Sequence, residues 1–132
     1  MNTVFTGILL NLQKKYNKVN EFQDITKQMA ASLQRNDLYS FQLLMNMRTE
    51  LMIDIENMDY AEEELIKSLS EDDEKQIRSA LSKEMEGKQF ATSDLQRIND
   101  IYNKTKRSLQ NTVQVDKAIS LKVGGENSFY HN

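Results

Sequence analysis

Cysteine and proline are both absent from this chain of 132 residues, tryptophan is missing too, and glycine occurs only four times. Without cysteine there is no disulfide framework, no thiolate nucleophile and no cysteine-ligated zinc. Without proline, and with glycine confined to Gly7, Gly87, Gly124 and Gly125, the chain lacks the turn residues that a sheet of short strands needs at every corner. The expected class is therefore all-α. The single histidine, His131, sits one residue from the end of the sequence, a poor place for a general base, which needs a fixed geometry. No Glu-x-x-His pair exists to build a di-iron bundle site, and there is no glycine-rich phosphate loop or Gly-x-Ser-x-Gly elbow. The acidic run Glu71-Asp-Asp-Glu74 lacks the alternating ligands and central glycine of an EF-hand loop, and reads as helix capping. We expect no enzyme, no cofactor and no metal.

Long hydrophobic runs are missing as well. No window approaches the roughly 20 apolar residues needed to span a bilayer. The start, MNTVFTGILLNLQKK, places its lysines after the apolar run instead of before it, so it reads as a helix start and not as a signal sequence. The net charge is −3, and the basic clusters Lys14-Lys15-Lys18 and Lys104-Lys106-Arg107 are small, which argues against nucleic acid. A soluble, cytoplasmic protein without membrane insertion is expected.

What is present is heptad spacing. A chain of this length, 39% hydrophobic, suits one domain with one core. Phe5, Ile8, Leu12, Tyr16, Val19, Phe22, Ile25, Met29 and Leu33 follow one another at steps of three or four, the pattern of a long amphipathic helix. Arg35-Asn36-Asp37 then offers a break and a new N-cap. A second helix follows with Leu38, Phe41, Leu44, Leu51, Ile55, Met58, Leu65 and Leu69, widened on one side by Met45, Met52 and Ile66. Arg48 and Glu62 fall inside this seam, and their long stems are expected to lie along the apolar surface with the charged heads in water.

Ser70 followed by acidic residues marks the start of a short third helix, with Ile77, Leu81 and Met85 as its stripe and Gly87 as its end. The link KQFATSD leads to a last helix, capped by Thr92 or Ser93 and carrying Leu95, Ile98, Tyr102, Thr105, Leu109, Thr112, Asp116, Ile119 and Val123 at heptad positions. Thr105, Thr112 and Asp116 are polar where a leucine would add burial, so this helix should hold the bundle more loosely toward its end. The expectation is an elongated antiparallel bundle of three long helices plus one short one over residues 1–123, with a flexible C-terminal tail at 124–132. Residues 50–74 hold eleven acidic residues against Lys67 alone, whereas residues 1–35 and 95–123 are mainly basic; the acidic second helix should lie between the other two.

With no catalytic constellation, protein recognition remains. Residues 38–60 carry four of the seven methionines, side chains that fill irregular cores and also serve surfaces that repack around a partner. Tyr39, Leu43, Ile53 and Tyr60 point away from the main seam; they cover loops or the third helix, or are singly exposed apolar residues of the kind every surface has, or form an interaction surface. The run LQRNDLYSFQLLMNMRTELMIDIENMD resembles the central helix of flagellar export chaperones of the FlgN and FliT type, through Leu33 and Asp37, Leu38 and Phe41, Leu43-Leu44, Arg48, Glu50-Leu51 and Ile55. That resemblance covers roughly residues 30 to 130. It implies a non-enzymatic chaperone that binds the amphipathic end helices of hook-junction or filament-cap subunits and delivers them for export. The candidate partner-binding residues are Leu43, Met45, Met52, Ile53, Tyr60, Ile66, Leu109, Val113 and Ile119, in a monomer or weak homodimer. The competing reading is a generic helical-bundle adaptor or self-associating coiled-coil protein that uses the same heptads.

Overall fold

The computed structural model describes residues 3–124. They form four helices and, among the described residues, no strand: α1 (Thr3–Gln34), α2 (Leu38–Lys67), α3 (Glu71–Ala80) and α4 (Ser93–Gly124). The all-α bundle of three long helices and one short one is thus observed. At 1.5 Å per residue the long helices span roughly 45 to 48 Å. The expected tail lies outside the described residues apart from Gly124, which closes α4, and so does His131.

The breaks between helices follow from local chemistry. Asn36 adopts φ 59°, a left-handed conformation that asparagine tolerates better than most residues. The Asp37 N–H then donates to Ser32 O at 2.9 Å and the Asn36 N–H to Leu33 O at 3.0 Å, which together form a Schellman ending. Asp37 is at once the N-cap of α2, accepting from the Ser40 N–H at 3.0 Å and the Ser40 hydroxyl at 2.6 Å. Those two bonds hold its carboxyl below the ordinary value. Ser70 caps α3 by accepting from the Asp73 N–H at 3.2 Å. Of the two expected caps on α4 it is Thr92 that accepts, from the Leu95 N–H at 3.3 Å.

α3 ends earlier than its apolar stripe suggests. Helix stops at Ala80 and Leu81 turns out of it at ψ 57°, so Met85 never joins the stripe. The cause lies on another helix. Asn99 of α4, fully buried, donates from Nδ2 to Ala80 O at 2.8 Å and to Ser82 O at 2.9 Å. It satisfies carbonyls that a further turn of α3 would have used. Gly87, at φ 81°, makes a turn in the loop that follows, where a side chain would be strained.

Two apolar clusters sit at opposite ends of the bundle. One joins Phe5, Ile8 and Leu12 of α1 to Ile66 of α2, Ile77 and Ala80 of α3, and Leu95 and Ile98 of α4. The other joins Ile25, Met29 and Leu33 of α1 to Phe41 and Leu51 of α2 and Ile119 of α4. It follows that α2 runs antiparallel to α1, and α4 parallel to it. α1 is the central element: it packs against both α2 and α4, whereas no Cα of α2 comes within 8 Å of a Cα of α4 among the described residues. The expected order, with the acidic helix in the middle, is therefore corrected. α2 has the basic α1 beside it, with Lys15 paired to Asp59 and Lys18 to Asp54. Its other flank meets α4 through side chains alone, because α1, as the most continuously apolar helix, supplies the common surface that both neighbours need. Leu38 and Val123, expected in the seams, are exposed instead, since they lie at helix ends where no neighbouring turn remains to cover them.

Candidate functional site

Between the apolar clusters α1 buries Val19, but the α4 side of the layer is polar. α4 buries Asn103, Thr105, Ser108 and Thr112 toward α1. Thr105 and Thr112 satisfy their hydroxyls on their own helix, donating to Ile101 O at 2.8 Å and Ser108 O at 2.9 Å. The Ser108 hydroxyl reaches Asn20 Oδ1 at 2.8 Å and Gln23 Oε1 at 3.0 Å. Each burial is therefore accompanied by a hydrogen bond, as a low-dielectric interior requires, but the apolar area gained is smaller than leucines would give.

Arg48 belongs to this layer, which corrects the expectation that its head reaches water. The guanidinium donates from Nη1 to Asp116 Oδ1 of α4 at 2.8 Å and to the Thr26 hydroxyl of α1 at 3.3 Å, and stacks over the Phe22 ring at 5.2 Å. Its side chain is 17% exposed and that of Asp116 is 29% exposed. α2 and α4, too far apart for backbone packing, are thus bridged by an ion pair. The Glu62 head is likewise drawn inward: its Oε1 is buried without a hydrogen-bond partner. Burial raises its carboxyl above the ordinary value, Lys15 opposes that shift, and Asp59 and Glu63 reinforce it.

The candidate partner-binding residues separate into distinct places. Ile66 and Ile119 are core, one in each apolar cluster, and cannot reach a partner without opening the bundle. Met45 is half-buried and packs against the second cluster together with Val115 of α4. Met52 and Val113 are exposed, at 43% and 40%. Met45, Met52 and Asp59 form one heptad row of α2, next to the row of Arg48, Ile55 and Glu62, so the Arg48–Asp116 bridge places this flank toward α4. Leu109 lines a cavity of about 70 Å³ with Leu12, Lys15, Tyr102, Thr105 and Lys106. Leu43 lies elsewhere, in a shallow cleft of about 430 Å³ between the end of α1 and the start of α2, with Leu44 and Met47 on one side and Gln28 and Ala31 on the other. Ile53 and Tyr60 face outward, away from α1. Met47, which lines that cleft and is half-exposed, had no mark in the sequence beyond its place in the methionine-rich run.

Among the described residues no group of three or more His, Asp or Glu side chains is placed to hold a metal, and no helix is long and apolar enough to cross a membrane. Compared with known proteins, the chain matches no family model, no curated protein and no solved structure.

Proposed function

We propose that this protein is a non-enzymatic, cytoplasmic helical chaperone that binds the amphipathic end helix of a flagellar export substrate, of the hook-junction or filament-cap class, on the α2 flank bordering α4. The flagellar identity of the client rests on the sequence resemblance of residues 30–130 to chaperones of the FlgN and FliT type. One structural observation carries the binding site. α4 buries Asn103, Thr105, Ser108 and Thr112 and keeps its backbone clear of α2, so Met45 and Met52 of α2 are covered by side chains alone or left open. An end helix with apolar residues at i, i+3, i+4 and i+7 can seat there, and methionines adapt to it at small cost. The segment of α4 that would yield is its second half, where Thr112 and Asp116 contribute no apolar burial and Val115 and Ile119 are its contacts with the second cluster.

The experiment is a titration of the purified protein with peptides for the terminal helices of hook-junction and filament-cap subunits, read by calorimetry and by hydrogen exchange. Saturable binding of one peptide, with free-state amides from Gln110 to Val123 exchanging faster than those from Leu44 to Met58, is the expected result. Equal protection of both segments together with no binding would remove the chaperone reading. The alternative, a generic adaptor or self-associating bundle, is favoured by exposed Tyr39, Ile53 and Tyr60; concentration-dependent dimerisation without peptide binding would select it.

A further inference from the structure

The outer face of α2, opposite its seam, holds a pattern that the client site does not use. Ile53 and Tyr60 are seven residues apart on this face and are 52% and 70% exposed; Tyr39, on the same heptad row two heptads before Ile53, is 76% exposed. An isolated exposed apolar residue needs no explanation, but a row at helical spacing does. The carboxylates around it are placed with equal regularity. Glu50 stands three residues before Ile53, Glu56 three after Ile53 and four before Tyr60, and Glu64 four after Tyr60, the spacings at which helical side chains are neighbours.

These three glutamates differ from the other exposed acids of α2. Asp54 and Asp59 pair with Lys18 and Lys15, and Glu63 and Glu74 pair with Arg78. Glu50, Glu56 and Glu64 are exposed and have no ion-pair partner among the described residues. The bundle thus supplies cations to Asp54, Asp59 and Glu63 and none to Glu50, Glu56 and Glu64, which border the outward apolar row.

We infer that the outer face of α2 is a docking surface for a basic amphipathic helix of another protein, with apolar anchors seated on Ile53 and Tyr60 and flanking Lys or Arg side chains paired to Glu50, Glu56 and Glu64. Charge fixes the choice of occupant. A neutral apolar helix would leave three carboxylates partly desolvated at its edge, which costs free energy unless they are paired. A second copy of this chain docked through the same face would set Glu50, Glu56 and Glu64 against their own like charges, an arrangement that complementary interfaces avoid. The distance from Tyr39 to Tyr60, roughly 30 Å along the helix, suits a partner helix of about six turns lying alongside. This surface does not depend on the groove beside α4, and either could exist without the other.

The test uses the full chain and a defined probe: a designed helical peptide with leucines at i, i+3, i+4 and i+7 and lysines beside them, and a twin in which every lysine is glutamate. NMR titration should move the amides from Glu50 to Glu64 and leave the Met45 and Met52 methyl groups and the amides of Leu109 and Val113 unchanged, and the glutamate twin should not bind. I53N/Y60S should weaken binding at least about tenfold, as expected when central anchors are lost. E50K/E56K/E64K should weaken it to a similar degree, and raising ionic strength from about 0.05 M to about 0.5 M should weaken it for the wild type but not for this triple variant. M52S/V113S should bind as wild type does. All the substituted residues are exposed, and far-UV circular dichroism checks that each variant is folded. Absence of binding to the lysine probe, shifts centred on Val113 and the Met45 methyl group, or a dimer in sedimentation that I53N/Y60S dissolves would each overturn the inference.

Discussion

Arg48 of α2 and Asp116 of α4 meet at 2.8 Å across a gap that the backbones of their helices do not close. In sequence terms both residues are defects in a heptad seam, and replacing Asp116 by leucine looks like an improvement. In the fold the replacement would strand a guanidinium that is mostly withdrawn from water. Leaving one partner of such a pair alone costs more than the pair itself contributes.

Asp116→Leu should therefore lower stability by about 1 to 2 kcal/mol, the range expected for a partly buried charge that loses its main partner. Urea denaturation measures this directly. The double variant R48M/D116L should recover most of the loss, because both charges leave together and apolar contact replaces them. A stabilised single variant would mean that the bridge is idle.

Asn99 reaches from α4 to the end of α3, and its side chain is fully buried. Asn99→Ala leaves two carbonyl oxygens without their donor and should cost about 2 kcal/mol. Hydrogen exchange should quicken across Glu71–Ala80 more than elsewhere. Asn99→Asp should be worse at neutral pH than near pH ~4, since only the protonated acid can donate to a carbonyl.

The buried Glu62 carboxyl is raised above its ordinary value of 4.5. From that value up to the raised one, the folded chain binds more protons than the unfolded chain, so stability falls as pH rises through the window. The contribution is fully present below 4.5 and lost above the folded value. Glu62→Gln should be more stable than wild type at pH ~7 and equal to it in acid. Thermal melts of both proteins across this range give the comparison, and parallel curves at every pH would show that Glu62 is solvated.

Ile66 and Met52 occupy the same widened side of one sequence pattern yet have opposite surroundings. Ile66 is 1% exposed and Met52 is 43% exposed. Ile66→Ala should cost about 2 to 5 kcal/mol through lost transfer energy and a cavity. Met52→Ala should change stability by less than about 1 kcal/mol, while weakening the binding of an end-helix peptide beside α4. The reverse ranking in denaturant titrations would mean that Met52, and not Ile66, is the side chain α2 buries.

The sequence by itself determined the helices. The three-and-four spacing from Phe5 to Leu33, the absence of proline and the caps at Asp37 and Ser70 are local properties, and they gave all four elements. They also implied the polar character of the middle of α4. Three-dimensional packing decided where these elements met. Heptad spacing marks a face but not its neighbour, so it could not say that α1 would be shared by α2 and α4 while α2 and α4 stayed apart. Nor could it tell core Ile66 from exposed Met52, because two residues at equivalent positions along a helix are separated only by what lies opposite each turn. The same holds for charge. Arg48 and Glu62 read as snorkelling side chains because one helix carries no sign of a distant partner; Asp116, 68 residues away along the chain, drew the first inward, and packing enclosed the second. α3 stopped short of its apolar stripe for the same reason: the donor that ends it, Asn99, comes from a helix that begins more than ten residues later. Burial and pairing are properties of surfaces brought together, and a linear pattern contains only one side of each.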